Sequence, residues 1–170
     1  MKIIMLSIFE LQTYSTMVRR RFAEKLSELP WEFVNKNREA SYYSMKNILL
    51  HMIDNEDWMV NWVVKNDSKG YVREKKFEEY LSMQIVLDHL QDVENKTRKY
   101  MQNVKDEDLK QRAKLITSKG VEFDLSVEEC LFQSFTEQLY HIGELIALLW
   151  QENVEPPKMQ WFYNNPRMKS

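Results

Sequence analysis

An all-α fold, a four-helix bundle with a small β-hairpin before its last long helix, is what this sequence predicts, and three observations predict it. Glycine and proline are scarce, three and four in 170 residues, whereas sheet-rich chains need many turns. Charged residues reach 29%, a share that favours long solvated helices. Four long blocks repeat their apolar residues every three to five positions, the helical period. At this length residues 1–170 are expected to form one domain, able to bury roughly two thirds of the surface its unfolded chain exposes.

The first block covers residues 6–29, with Leu11, Tyr14, Met17, Phe22 and Leu26 on one stripe and Pro30 as its stop. The opening MKIIMLSIFE reads as part of this helix: Glu10 interrupts its apolar run early, and no small-residue cleavage site follows. Residues 31–38 read as a short connection. Ser44 is the N-cap expected for the second helix, which should run to about residue 65, before the break at Asn66, Asp67, Ser68, Lys69 and Gly70. At about 100° per residue, Met45, Leu49, Met52, Val60 and Val63 form its buried face. His51 lies on the flank, in a strip with Ser44, Asn55, Trp58 and Trp62. Glu56 falls on the apolar face, where a lone carboxylate is costly, so it should pair with an arginine of the first helix or line the same cavity.

The third helix is expected over residues 77–104, with Leu81, Ile85, Val86, Leu90, Val93 and Tyr100 as its stripe. Its His89 sits among Asp88, Gln91 and Asp92, which read as surface groups. Residues 113–126 alternate apolar and polar around Ser118, Lys119 and Gly120, predicting strands at 114–117 and 121–125 that turn at the glycine. The last helix, over residues 126–153, buries Leu131, Phe135, Leu139, Ile142, Ile146 and Leu149 and exposes Glu129, Gln133, Thr136, Tyr140 and Gln151. A short helical turn is expected at 159–163 in the tail.

Between the two stripes of the last helix lie Glu137 and His141, four residues apart and so one above the other on a single face. Cys130 and Ser134 continue their seam, which suggests a cleft there. With His51 from the second helix, the two form a candidate metal site of two imidazoles and one carboxylate. Such donors suit a divalent ion, Zn, Ni, Fe or Mn, and three protein ligands leave positions for water or substrate. Spacing alone is also what an ordinary helix-surface pair would show. Cys130 is a poor nucleophile, because apolar mid-helix neighbours raise a thiol pKa.

Composition sets limits on partners. The net charge is −2, from 24 basic and 26 acidic residues mixed along the chain, so no broad field draws phosphate backbones and nucleic acid is not expected. Arg19, Arg20 and Arg21 point three ways on a helix. No apolar run approaches the ~18 residues that span a bilayer, so no membrane partner is expected. One cysteine allows no internal disulfide, as an intracellular protein would have it, and the cytoplasm is the expected location.

Three segments together resemble the DinB-like family, also called the DinB/YfiT-like metalloenzymes: NILLHMIDNEDWMV from Asn47, VEFDLSVEECL from Val121 and EQLYHIGELIALLWQENVEPP from Glu137. Where that family's fourth helix typically reads His-x-x-His-His-Arg-Gly-Gln, this chain has Glu137, Gln138, Leu139, Tyr140, His141, Ile142, Gly143 and Glu144. The resemblance places His51 and His141 at two of the three metal-binding histidine positions and Glu137 at the third. It implies a metal-dependent enzyme that activates a thiol or water, of thiol S-transferase or hydrolase type, acting with a small-molecule thiol or another small substrate, and a homodimer. The rival expectation is a non-catalytic bundle, or a dimerising interaction module whose metal site has decayed.

Overall fold

The computed structural model describes residues 6–164; Met1 to Met5, read above as part of the first helix, lie outside them. The chain is mostly helical, with helices α1 (Ile8–Ser27), α2 (Trp31–Asn35), α3 (Met45–Asn61), α4 (Met83–Asn103), α5 (Asp106–Leu109), α6 (Val127–Gln151) and α7 (Trp161–Asn164). Strands β1 (Arg112–Ile116) and β2 (Glu122–Ser126) form one antiparallel pair. No helix among the described residues is long and apolar enough to cross a membrane.

Each long helix starts at a serine. The hydroxyls of Ser7, Ser44, Ser82 and Ser126 accept from the backbone N–H groups of Glu10, Asn47, Ile85 and Glu129. Each satisfies a donor that the helix itself leaves unpaired, worth about 1 kcal/mol. At Ser7 and Ser126 the glutamate three residues on reaches back to the cap's own N–H, completing a capping box.

These caps correct two expected boundaries. α4 begins at Met83, not at residue 77, because Ser82 is its cap; Phe77–Glu79 is a separate 3-10 turn, and Leu81, expected in the stripe, is 71% exposed. α3 ends at Asn61, not at residue 65, since Trp62 leaves helical geometry and Val63–Lys65 forms a 3-10 turn closed by Asn66 at φ 60°. The connection after Pro30 holds the short α2, and α5 precedes the hairpin without having been expected. The strands are displaced from the expected 114–117 and 121–125, β1 starting two residues earlier and stopping at Ile116 and β2 running from Glu122 to Ser126. Arg112 pairs with Ser126 through to Ile116 with Glu122 around Gly120, whose φ of 79° suits glycine.

α3 packs against α4 and α6, and α1 packs against the same two. One apolar cluster gathers Val18, Phe22, Leu49, Ile53, Val86, Leu90, Ile142 and Leu149. A second, next to the hairpin, gathers Met59, Val60, Met101, Leu115, Cys130, Leu131 and Phe135. Along α3, α4 and α6 the buried residues between the two clusters are polar, among them Asp54, Glu56, Glu94, Thr97 and Gln138. Arg19 Nη1 donates to Glu56 at 2.7 Å, Gln138 Nε2 donates to the same carboxylate at 2.6 Å, and Glu94 accepts from both Arg19 and Arg20. Ser15 Oγ donates to Gln138 Oε1 at 3.1 Å. Glu56 thus takes the first of its two expected arrangements, pairing with an arginine of α1. Through Arg19, Glu56, Glu94 and Gln138 the network ties α1, α3, α4 and α6 at one level, and its charges are paired, although Arg19 Nε is buried without a hydrogen-bond partner among the described residues.

Candidate metal centre

α3 and α6 lie side by side, and the two carry the site. His51, on the flank of α3, faces Glu137 and His141 on α6. The His51 Nε2 lies 3.2 Å from Glu137 Oε1, and His141 Nε2 lies 3.9 Å from the same oxygen. The imidazole centroids are 4.8 Å apart and nearly perpendicular, at 82°. One ligand-type atom from each of the three residues falls within 4.8 Å of those of the other two. Donors on opposite sides of an ion bound at ~2.1 Å stand about 4.2 Å apart, so small side-chain shifts bring these three to coordinating distance.

The surrounding groups aim each donor. Glu144 Oε2 accepts from His141 Nδ1 at 3.2 Å, and since a carboxylate can only accept, the proton sits on Nδ1 and the Nε2 lone pair is left facing Glu137. Glu144 is held in turn by the N–H of Ser41 at 2.9 Å and its hydroxyl at 2.7 Å. Burial would raise the Glu144 pKa; the Ser41 bonds and His141 outweigh it, and the carboxyl stays below its ordinary value. Gln133 Nε2 donates to Glu137 Oε2 at 3.1 Å, leaving Oε1 to the imidazoles. The hydrogen bond from His51 is the largest cause holding the Glu137 pKa down, and burial opposes it. Glu137 is therefore a carboxylate at neutral pH, the form a cation needs.

Tyr42 caps the site from the segment before α3. Its ring stacks on His51, with centroids 4.0 Å apart and 16° between planes. The hydroxyl is 3.1 Å from His51 Nε2, within hydrogen-bond distance. Burial, then the charges of Glu137 and Glu144, push the Tyr42 pKa up, so the phenol keeps its proton. Two glutamates and two histidines thus lie under one neutral ring. The donor set, with one lone pair aimed by Glu144 and one carboxylate oxygen left open by Gln133, fits a divalent cation.

His51 and Glu137 also form one end of a groove of about 1220 Å³, bounded by the start of α1, by α3, by the hairpin, by α6 and by Trp161. The expected cleft along Cys130 and Ser134 is corrected here: both are fully buried, and the groove opens instead beside Phe132 and Gln133. Of the strip expected around His51, Asn55 and Trp58 line the groove, whereas Trp62 packs against Tyr71. His89 is not one of the converging residues. Its Nε2 meets Asp54 Oδ1 at 3.0 Å, and Asp54 also takes Arg73 at 2.5 Å, fastening the segment between α3 and α4.

Sequence reasoning gave no role to Tyr42, Gln133 or Glu144 in the cluster. A signal existed for Gln133 and Glu144, four residues before Glu137 and three after His141, within side-chain reach on one helix. Tyr42 gave none, because a loop residue's direction is not written in periodicity.

The family model described as DinB family matches residues 5–168. The chain belongs to the DinB family. Among solved structures, a DinB-like protein from Bacillus cereus ATCC 10987 is similar with a TM-score of 0.67 at 15% identity, over 89% of this chain and 94% of that one. At that identity the likeness shows a DinB-like fold and nothing finer. No curated protein matches.

Proposed function

We propose that this DinB-family protein is a metal-dependent enzyme in which His51, His141 and Glu137 hold a divalent ion, Zn, Ni, Fe or Mn. The observation that carries the reading is the convergence of three donors from two helices within 4.8 Å. When bound, such an ion supplies Lewis acidity that lowers the pKa of a water or a thiol, which makes a thiol S-transferase or a hydrolase the fitting reaction type. The chain's own residues do the rest. Glu144 keeps the His141 proton on Nδ1, Gln133 fixes the Glu137 carboxylate, and the groove shelters the reacting groups from bulk water. The protonated Tyr42 hydroxyl offers a hydrogen bond at the rim of the site.

The fold that goes with this reading is a four-helix bundle of α1, α3, α4 and α6, supported by the packing of α1 and α3 each against α4 and α6. A homodimer in the cytoplasm completes it, with the exposed Tyr140 and Trp150 of α6 available to an interface.

The test is metal content. Protein purified without added metal, and then titrated with Zn, is expected to hold about one ion per chain, and Glu137→Ala should lose most of it, since two protein ligands remain. A folded wild-type chain that takes up no divalent ion, or a Glu137→Ala variant that binds as well as wild type, would leave the non-catalytic bundle as the better reading.

A further inference from the structure

The groove is larger than the 300–1,000 Å³ that holds most small ligands, at about 1220 Å³. Its walls are apolar: Leu11 of α1, Met59 of α3, Leu115 and Leu125 of the hairpin, Phe132 of α6, and Trp161. Phe132 is 57% exposed, an unusual place for phenylalanine on a polar helix face. His51 and Glu137 stand at the polar end.

Two details of the lining restrict what fits. No lysine or arginine is among the described lining residues; the carboxylates are Glu128, Glu129 and Glu137, with His51 and Tyr14 as the other ionisable groups. Whatever ion the polar end holds, an anionic group lying along these walls would meet Glu128 and Glu129 and no lysine or arginine to pair with. The second detail is Asn55, four residues after His51 and so about 6 Å further along α3. Its Oδ1 is buried and makes no hydrogen bond among the described residues. No internal partner fixes that carboxamide, so turning it over loses no hydrogen bond, and it can offer either its N–H or its carbonyl to the groove.

We infer that the groove is the substrate pocket of the site, and that it takes a neutral, elongated, mostly apolar molecule with an amide or hydroxyl group paired to Asn55. The reacting end of that molecule lies about one helical turn away, against His51 and Glu137. The reaction in this inference rests on the proposed metal site. Binding in the groove does not, since none of its walls is built by an ion.

The experiment therefore runs in excess EDTA, by calorimetry on the full chain at pH 8, with octanamide and octanoate as probes of equal length. Octanamide is expected to bind at one saturable site and octanoate at least tenfold more weakly. Asn55→Ala should weaken octanamide about tenfold, and Phe132→Ser, at an exposed position that spares the core, should weaken both probes. Octanoate binding as tightly as octanamide, an Asn55→Ala variant that binds octanamide like wild type, or no saturable binding of octanamide would overturn the inference. So would a sedimenting dimer that Phe132→Ser converts to monomer, which would mean that a second copy covers the groove. Failure of the Zn titration with octanamide binding intact would count against the metal site alone.

Discussion

At the scale of single residues, Glu144 does more for the cluster than its place outside it suggests. It bridges the Ser41 backbone and hydroxyl to His141 Nδ1, so one carboxylate both orients an imidazole and anchors the loop that carries Tyr42. Glu144→Ala should lower Zn affinity by 10–100-fold, as loss of a group that orients a metal-bound histidine does elsewhere, and should also cost about 1–3 kcal/mol of stability, because the Ser41 and His141 hydrogen bonds go with it. Calorimetric titration of the variant checks this, and an affinity equal to wild type would show that His141 needs no orienting partner. That His51, Glu137 and His141 come together was legible in the sequence because two are a helical turn apart, the third sits on a marked flank, and the family resemblance sets the two helices side by side. Gln138 was not assigned a place, yet it is 1% exposed and joins Glu56 to Ser15. Its neighbours on α6 could not reveal that, since its partners come from α3 and α1.

At the scale of elements, the segment between α2 and α3 is the strained piece. Tyr43 has φ 71° and is 64% exposed, an uncommon conformation for a bulky residue. The strain is kept because the backbone is held on both sides: the Tyr43 N–H donates to Ala40 O at 2.9 Å, and its carbonyl accepts from the Arg38 N–H at 2.6 Å. That turn places Tyr42 over His51. Tyr43→Gly removes the Cβ clash and keeps both bonds, so it should stabilise the fold by about 1 kcal/mol, read as a higher urea midpoint. A lower midpoint would mean that the tyrosine ring contributes more than its exposure implies. The long helices were legible from period and composition, and the starts of α1, α3 and α6 fell within two residues of expectation, whereas that of α4 did not. Serine caps such as Ser82 compete with an apolar run that continues past them, as Phe77 and Leu81 do here. Only the cap's own hydrogen bond settles where the helix begins.

At the scale of the whole molecule, the helical class and the hairpin could be read in advance, while the groove could not. Its walls come from α1, α3, the hairpin, α6 and Trp161, and no periodicity in one segment states how five are set against each other. Burial also gives the fold a pH signature. It pushes up the phenol pKa values of Tyr14, Tyr71 and Tyr80, lifts Tyr100 to about 12 and lifts the Cys130 thiol to about 11. Groups whose pKa is raised on folding lose protons first in the unfolded chain, so their stabilisation is complete below pH 9 and is lost as pH rises through 9 to 12. Glu137 and Glu144 run the other way, with lowered values, and their contribution fades as pH falls below about 4.5. Thermal midpoints should therefore hold level between about pH 5 and 9 and fall on both sides; a midpoint that kept rising to pH 11 would contradict the alkaline half. Cys130 offers one more use of this burial. It is the chain's single cysteine and is fully enclosed, so an aromatic disulfide reagent can reach its sulfur only when the hairpin end opens. The labelling rate, set against that of the chain in urea, becomes a clock for native-state breathing, and its dependence on reagent concentration separates a rapid opening equilibrium from a slow, committed one.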